Sequence, residues 1–100
     1  MNENNCTAAF SILGKKWNGE IINIMLKAKE PIRFSDISGE LNACSQKVLT
    51  ERLKELETTG IIERVSLDNS SRFLYALTES GKAMKELMYS INQWADIHLK

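Results

Sequence analysis

Between residues 45 and 60 the apolar positions Val48, Leu49, Leu53 and Leu56 fall on one side of a helix, the spacing of a core-facing stripe. Gln46, Lys47, Thr50, Glu51 and Lys54 fall on the other side. Ser45 is placed to cap this helix, since its hydroxyl oxygen can accept one of the first unpaired N–H groups, and Gly60 is placed to end it. Upstream, Ile37 and Leu41 share one face at i, i+4 spacing. Ser35 stands at the expected N-cap, and Asp36 follows in the first turn, where a carboxylate favours the positive helix end. Asn42, Ala43 and Cys44 supply the turn between the two helices. Such a pair is either a plain helical hairpin in a small bundle or a helix-turn-helix.

After Gly60 the period changes from 3.6 to two. Ile61 to Leu67 is rich in β-branched residues, and Arg72 to Leu77 places Phe73, Tyr75 and Leu77 on one face. Asp68, Asn69, Ser70 and Ser71 between them are turn formers, because their side chains bond to their own backbone. A hairpin directly after the second helix of a helix-turn-helix makes a winged helix and tips the choice towards it. Leu74 and Ala76 occupy the face that ought to be wet, so the hairpin is less cleanly amphipathic than a free wing would be.

Towards the N-terminus, Thr7 is the expected cap of a short helix carrying Ala8, Ala9, Phe10, Ile12 and Leu13, which Gly14 interrupts. Lys15 and Lys16 then read as a solvated helix end. A helix over about Trp17 to Ala28 turns Trp17, Ile21, Ile22, Ile24 and Met25 inward, and Pro31 closes that region. Ile32, Arg33 and Phe34 leave room for one short edge strand. At the other end Thr78 caps a last helix over about 79–99, with Glu79 in its first turn and Gly81 allowing close packing on the hairpin. Met84, Leu87, Met88, Ile91, Trp94, Ala95 and His98 recur there at three- and four-residue steps. That stripe needs a cover, either the first helix of the same chain or a second copy across a two-fold axis.

Composition narrows the function classes. One hundred residues suffice for a single domain with one core. No run approaches the ~18 apolar residues of a membrane span, and the first ten residues do not read as a signal peptide, so a cytoplasmic protein is expected. Cys6 and Cys44 are too few for a disulfide scaffold or a zinc site, and no metal or cofactor is expected. Thirteen basic against thirteen acidic residues give no excess charge, which counts mildly against indiscriminate nucleic-acid binding. The one histidine, His98, lies far along the apolar stripe, and no nucleophile, phosphate-binding or metal motif accompanies it, so no catalytic residue is expected.

The runs RFSDI, SQKVLTERLKELETTGIIER and YALTESG, with GKKW before them and Cys6 near the start, resemble the HxlR-type winged helix-turn-helix regulators, relatives of the MarR group. The similarity extends from about Cys6 to Trp94. The resemblance implies a mainly α chain with a small β-hairpin (α+β), with helix-turn-helix over about 35–59, wing over about 61–77 and dimerisation helix over about 79–99. It implies a bacterial or archaeal homodimer on double-stranded DNA, joined through its N- and C-terminal helices by Phe10, Leu87, Met88, Ile91, Trp94, Ala95 and His98. The base-reading candidates become Ser45, Gln46, Lys47, Thr50 and Glu51. Gln46 suits adenine, and Lys47 suits guanine or phosphate. Lys54 and Arg72 fall to phosphate contacts. Arg52 falls beside the core stripe, where it can snorkel, pair with a buried carboxylate or reach the DNA backbone.

Two departures from the family pattern stand out. Thr7 follows Cys6 where members carry proline, and the wing lacks the usual prolines, which implies a more mobile wing. Some relatives sense oxidants or electrophiles through the N-terminal cysteine; Cys6 is therefore either such a thiol or an inert residue near the interface. The competing reading of the whole chain is a winged-helix module that binds protein and not DNA.

Overall fold

The computed structural model describes residues 3–68 and 71–100, so Asn69 and Ser70 of the expected turn cluster lie outside the described residues. The elements run α1 (Glu3–Leu13), α2 (Asn18–Ala28), α3 (Phe34–Glu40), α4 (Gln46–Thr58), β1 (Ile62–Ser66), β2 (Phe73–Leu77), α5 (Glu79–Lys82) and α6 (Lys85–His98). β1 and β2 form an antiparallel ribbon in which Ile62 faces Leu77, Arg64 faces Tyr75 and Ser66 faces Phe73. Ile32 adds a single antiparallel bridge to Tyr75 on the other edge of β2, with both backbone bonds made at 2.9 and 2.8 Å. The short edge strand expected over Ile32, Arg33 and Phe34 is thus reduced to a single bridge at Ile32, because Arg33 caps α3 and Phe34 begins it.

The core gathers the inner faces of these elements. Ile21, Ile22 and Met25 of α2 meet Ile37 of α3, and Leu49, Leu53 and Leu56 of α4. Leu41 and Cys44 close the turn side, and Ile61, Ile62 and Tyr75 close the hairpin side. Ser45 caps α4 as expected, its Oγ accepting the Val48 N–H at 3.1 Å. At the other end Gly60 adopts φ +83°, the left-handed conformation that an L side chain resists. The Gly60 N–H bonds to the Glu57 carbonyl and the Ile61 N–H to the Leu56 carbonyl, both at 3.0 Å, and Leu56 and Ile61 are both buried. This double closure is a Schellman motif with its apolar contact.

Several expected boundaries move. Helix α1 starts four residues before Thr7, whose carbonyl instead accepts the Ser11 hydroxyl at 3.0 Å inside the helix. Residues 3–6 hold no glycine or proline that would stop the helix extending. Ser35 does not cap α3: the cap is Arg33, because the Asp36 carboxylate reaches back to the Arg33 N–H at 3.2 Å. Each strand is shorter than its apolar run, and Leu74 and Ala76 are half-buried and not wet.

The last helix is broken in two. A Cβ on Gly81 would overlap the Ile61 carbonyl oxygen and stand 2.8 Å from Leu77 Cδ2, so α5 lies hard against the hairpin root. The chain then tightens, with the Met84 N–H bonded three residues back to Gly81, before α6 resumes through Met88 to Met84. This turn aims Met88 at α2, where it is buried with its methyl group over Gly19. Met88 therefore belongs to the core of its own chain and not to an exposed interface stripe.

Candidate nucleic-acid interface

Helix α4 buries Leu49, Leu53 and Leu56 and leaves Gln46, Lys47, Thr50, Glu51 and Lys54 exposed, so the polar face read from the sequence is the outer face. The side chains of Gln46, Lys47, Glu51 and Lys54 make no hydrogen bond or ion pair among the described residues. From Gln46 to Lys54 the helix rises roughly 12 Å, about the width of a B-DNA major groove. Two candidates are already engaged. Ser45 spends its acceptor on the Val48 N–H, and the Thr50 hydroxyl turns back to the Gln46 carbonyl at 2.8 Å. Gln46, Lys47, Glu51 and Lys54 thus remain the side chains of this face whose donors and acceptors are unengaged among the described residues.

The wing is fixed to this helix by a contact that no periodicity or capping pattern signals. Arg64 Nε lies 3.2 Å from Glu57 Oε1, and its guanidinium lies 4.7 Å from the centre of the Phe73 ring. The same Phe73 meets Tyr75 edge-on at 5.4 Å. Burial pushes the Tyr75 hydroxyl above its ordinary range, so that group stays neutral near pH 7. Arg72 is exposed at the start of the outgoing strand, its carbonyl accepting the Leu67 N–H at 3.1 Å.

Lys15 and Lys16 are exposed just past the end of α1, as expected, but each also makes a contact. Lys15 Nζ lies 2.8 Å from Glu55 Oε1, and Lys16 Nζ sits 5.1 Å from the centre of the Trp17 ring. The Lys15 hydrogen bond holds the Glu55 carboxyl below its usual range, and the nearby Arg52 charge adds to the effect. Trp17 is half-buried at the core edge, with φ 81° just before α2. Arg52 meets no buried carboxylate: its Nη1 lies 3.5 Å from Oε1 of the partly exposed Glu55, and its Nε donates to the Lys16 carbonyl at 3.0 Å.

Several large apolar side chains away from α4 are exposed. Phe10, Leu87, Ile91 and Trp94 are all exposed on α1 and α6, and Trp94 packs against the His98 ring at 5.5 Å. Ala95 is half-buried. Tyr89, Ile97 and Leu99 are exposed as well, with Tyr89 on the opposite side of α6 from Leu87, Ile91 and Trp94. Cys6 is exposed on α1, whereas Cys44 is buried beside the cap of α4. Among the described residues no cluster of metal-ligating side chains occurs, and no helix is long and apolar enough to cross a membrane.

A helix-turn-helix with its outer face clear, followed by an anchored two-stranded wing, defines a winged helix-turn-helix protein. The sequence profile of the HxlR-like helix-turn-helix family matches residues 12–100, and the chain belongs to that family. It is 43% identical over 90 residues to the HTH-type transcriptional regulator YodB of Bacillus subtilis, a match spanning 89% of this chain and 79% of that protein. The fold superposes on reduced YodB from B. subtilis with a TM-score of 0.85 at 39% identity, covering 98% of this chain and 95% of that one. Against quinone-bound YodB the TM-score is 0.81 at 42% identity, covering 92% and 94%. The chain is a helix-turn-helix transcriptional regulator.

Proposed function

We propose that this regulator works in the cytoplasm as a homodimer on a pseudo-palindromic operator. Helix α4 of each protomer enters the major groove, and the wing lies on the adjacent backbone. The observation that carries this reading is the outer face of α4, where the side chains of Gln46, Lys47, Glu51 and Lys54 stand exposed with no hydrogen bond or ion pair among the described residues. Gln46 is matched to adenine, Lys47 to guanine, and Glu51 to a cytosine amino group, while Lys54 and Arg72 hold phosphates. The neutral net charge fits a protein whose affinity rests on two half-sites as well as on bulk attraction. Phe10, Leu87, Ile91 and Trp94 supply the two-fold contact, with Ala95 and His98 at its margin. Fluorescence anisotropy with the chain's own upstream DNA and a scrambled duplex, at two salt concentrations, tests the reading. If that DNA fails, a random-sequence selection follows. Folded protein that selects no duplex, with or without reductant, overturns the reading in favour of a protein-binding module.

A second reading concerns regulation. Cys6 is exposed and Cys44 is buried, and a relative of high identity has been solved with quinone bound. Cys6 is then the thiol that meets an oxidant or electrophile, on a helix that also carries part of the dimer contact. Thiol-specific alkylation at neutral pH with mass readout should modify Cys6 well before Cys44. Equal, slow labelling of the two would sink the sensor.

A further inference from the structure

The elbow between α1 and α2 is stiff by construction. Gly14 opens it with its N–H bonded to the Phe10 carbonyl at 2.7 Å, and a Cβ there would lie 2.8 Å from that same oxygen. Trp17 closes it in the left-handed region, which few bulky residues enter. Asn18, 2% exposed, donates from Nδ2 to the Ile12 carbonyl at 2.9 Å and so ties the first turn of α2 to the end of α1. A short segment held this way transmits orientation from one helix to the other.

This elbow is clasped onto the flank of α4. Arg52 carries the junction: its side chain is 16% exposed, Nε donates to the Lys16 carbonyl, and Nη1 approaches Glu55. Glu55 in turn holds Lys15. A planar guanidinium can serve a carbonyl and a carboxylate at once, which an ammonium does poorly. Exposed ion pairs alone contribute little to stability, so the geometry of the clasp matters more than its charge. It joins α1, which presents Phe10, to the helix whose other face presents Gln46 and Lys47.

We propose that Arg52, braced by Glu55 and Lys15, is a positioning residue that sets the spacing of the two half-sites the dimer accepts. The proposal rests on the reading of α4 as the DNA-reading helix of a two-fold dimer. Half-sites lie about 34 Å apart, so each recognition helix sits at a radius of about 17 Å from the dyad. One base pair adds about 3.4 Å of rise and about 34° of twist, which two symmetric protomers share as about 1.7 Å and about 17° each. At a radius of about 17 Å a tilt of roughly 6° supplies the rise, and the elbow must swivel to follow the twist. Loosening the clasp therefore lets the dimer accept spacings that differ by one base pair, while its contacts within a half-site are unchanged.

The test uses a duplex recovered by random-sequence selection with the wild-type protein, and derivatives with one or two base pairs added or removed at the centre. Anisotropy titrations give the affinity for each. Wild type should lose about tenfold or more at a one-base-pair change, each such loss being about the effect of a disrupted base contact. Arg52→Met, which keeps length but donates nothing, should discriminate less than threefold, with an unchanged salt slope. Arg52→Lys, which keeps one donor for the Lys16 carbonyl, should recover part of the discrimination. A spacing profile of Arg52→Met identical to wild type overturns the proposal. So does a salt slope lowered by about one, which would make Arg52 a phosphate contact. Should Arg52→Met fail to fold, Glu55→Gln removes the brace alone; intermediate broadening supports the clasp and a wild-type profile refutes it. A selection that recovers no duplex sinks the DNA reading itself, and the clasp with it.

Discussion

Replacing Gly81 by alanine tests how closely the terminal segment is pressed to the wing. On helix propensity alone the change should stabilise α5 by about 1 kcal/mol. The new methyl would, however, overlap the Ile61 carbonyl and approach Leu77 Cδ2 to 2.8 Å. The carbonyl belongs to the turn that ends α4 and cannot swing aside, so α5 must lift. Lifting stretches the Thr78 N–H bond to the Ile61 carbonyl, now 3.0 Å, and the Thr78 hydroxyl contacts with the Gly60 and Ile61 carbonyls. Overpacking costs about 1–3 kcal/mol and each weakened hydrogen bond up to about 1. Against the propensity gain, a net loss of about 2 kcal/mol follows, or roughly 10 °C in Tm for a domain of this size. Urea denaturation followed by circular dichroism at one protein concentration measures it, since a dimer's stability depends on concentration. Gly39→Ala is the control: nothing lies within 4 Å of a Cβ there, so it should stabilise by about 0.5–1 kcal/mol. Equal effects of the two substitutions, or a Gly81→Ala protein as stable as wild type, would refute the packing argument.

Three further outcomes are expected. Ser45→Ala removes the cap of α4 and should cost about 0.5–2 kcal/mol in the same denaturation assay, where no change would mean that water replaces the cap without loss. Lys47→Ala should lower affinity for the selected operator and relax one base position, whereas Arg72→Ala should weaken all duplexes alike and reduce the salt slope by about 0.9; interchanged results would reverse the two roles. The depressed Glu55 pKa means that the Lys15 pair stabilises the fold above the ordinary carboxylate value of 4.5 and is lost as pH falls through the lowered one. In Lys15→Met the Glu55 carboxyl should titrate at higher pH by carbon-detected NMR, and an unmoved titration would remove Lys15 as the cause.

Much of this architecture could be read from residue order because its determinants are local. The inner stripe of α4, the Ser45 cap and the Gly60 stop all act within one or two helical turns, and all three stand where periodicity and capping placed them. The tight seat of Gly81 on the hairpin was legible for the same reason, as a glycine in a first turn has few other uses. Three features escaped. Met84, Leu87 and Met88 continue a helical period through the break after Lys82, so the pattern conceals a turn that tertiary contact imposes. Arg33 caps α3 through the carboxylate of Asp36, which a search for serine and threonine caps passes over. The clasp joins residues 36 and 40 positions apart, and no short-range pattern encodes such a pair.

The backbone of Ile61 is a knot. The end of α4, the root of β1 and the start of α5 all bond to it or rest on it, and Thr78 shuts the loop of chain between them. The hairpin beyond is therefore a closed excursion whose two ends are already fixed, like a handle on a lid. For such an excursion a doubling in length costs only about 0.6 kcal/mol of loop entropy. The wing can accordingly be lengthened, shortened or exchanged at its tip while the helix-turn-helix keeps its shape, and a new reach lies within a few residues' change in one loop.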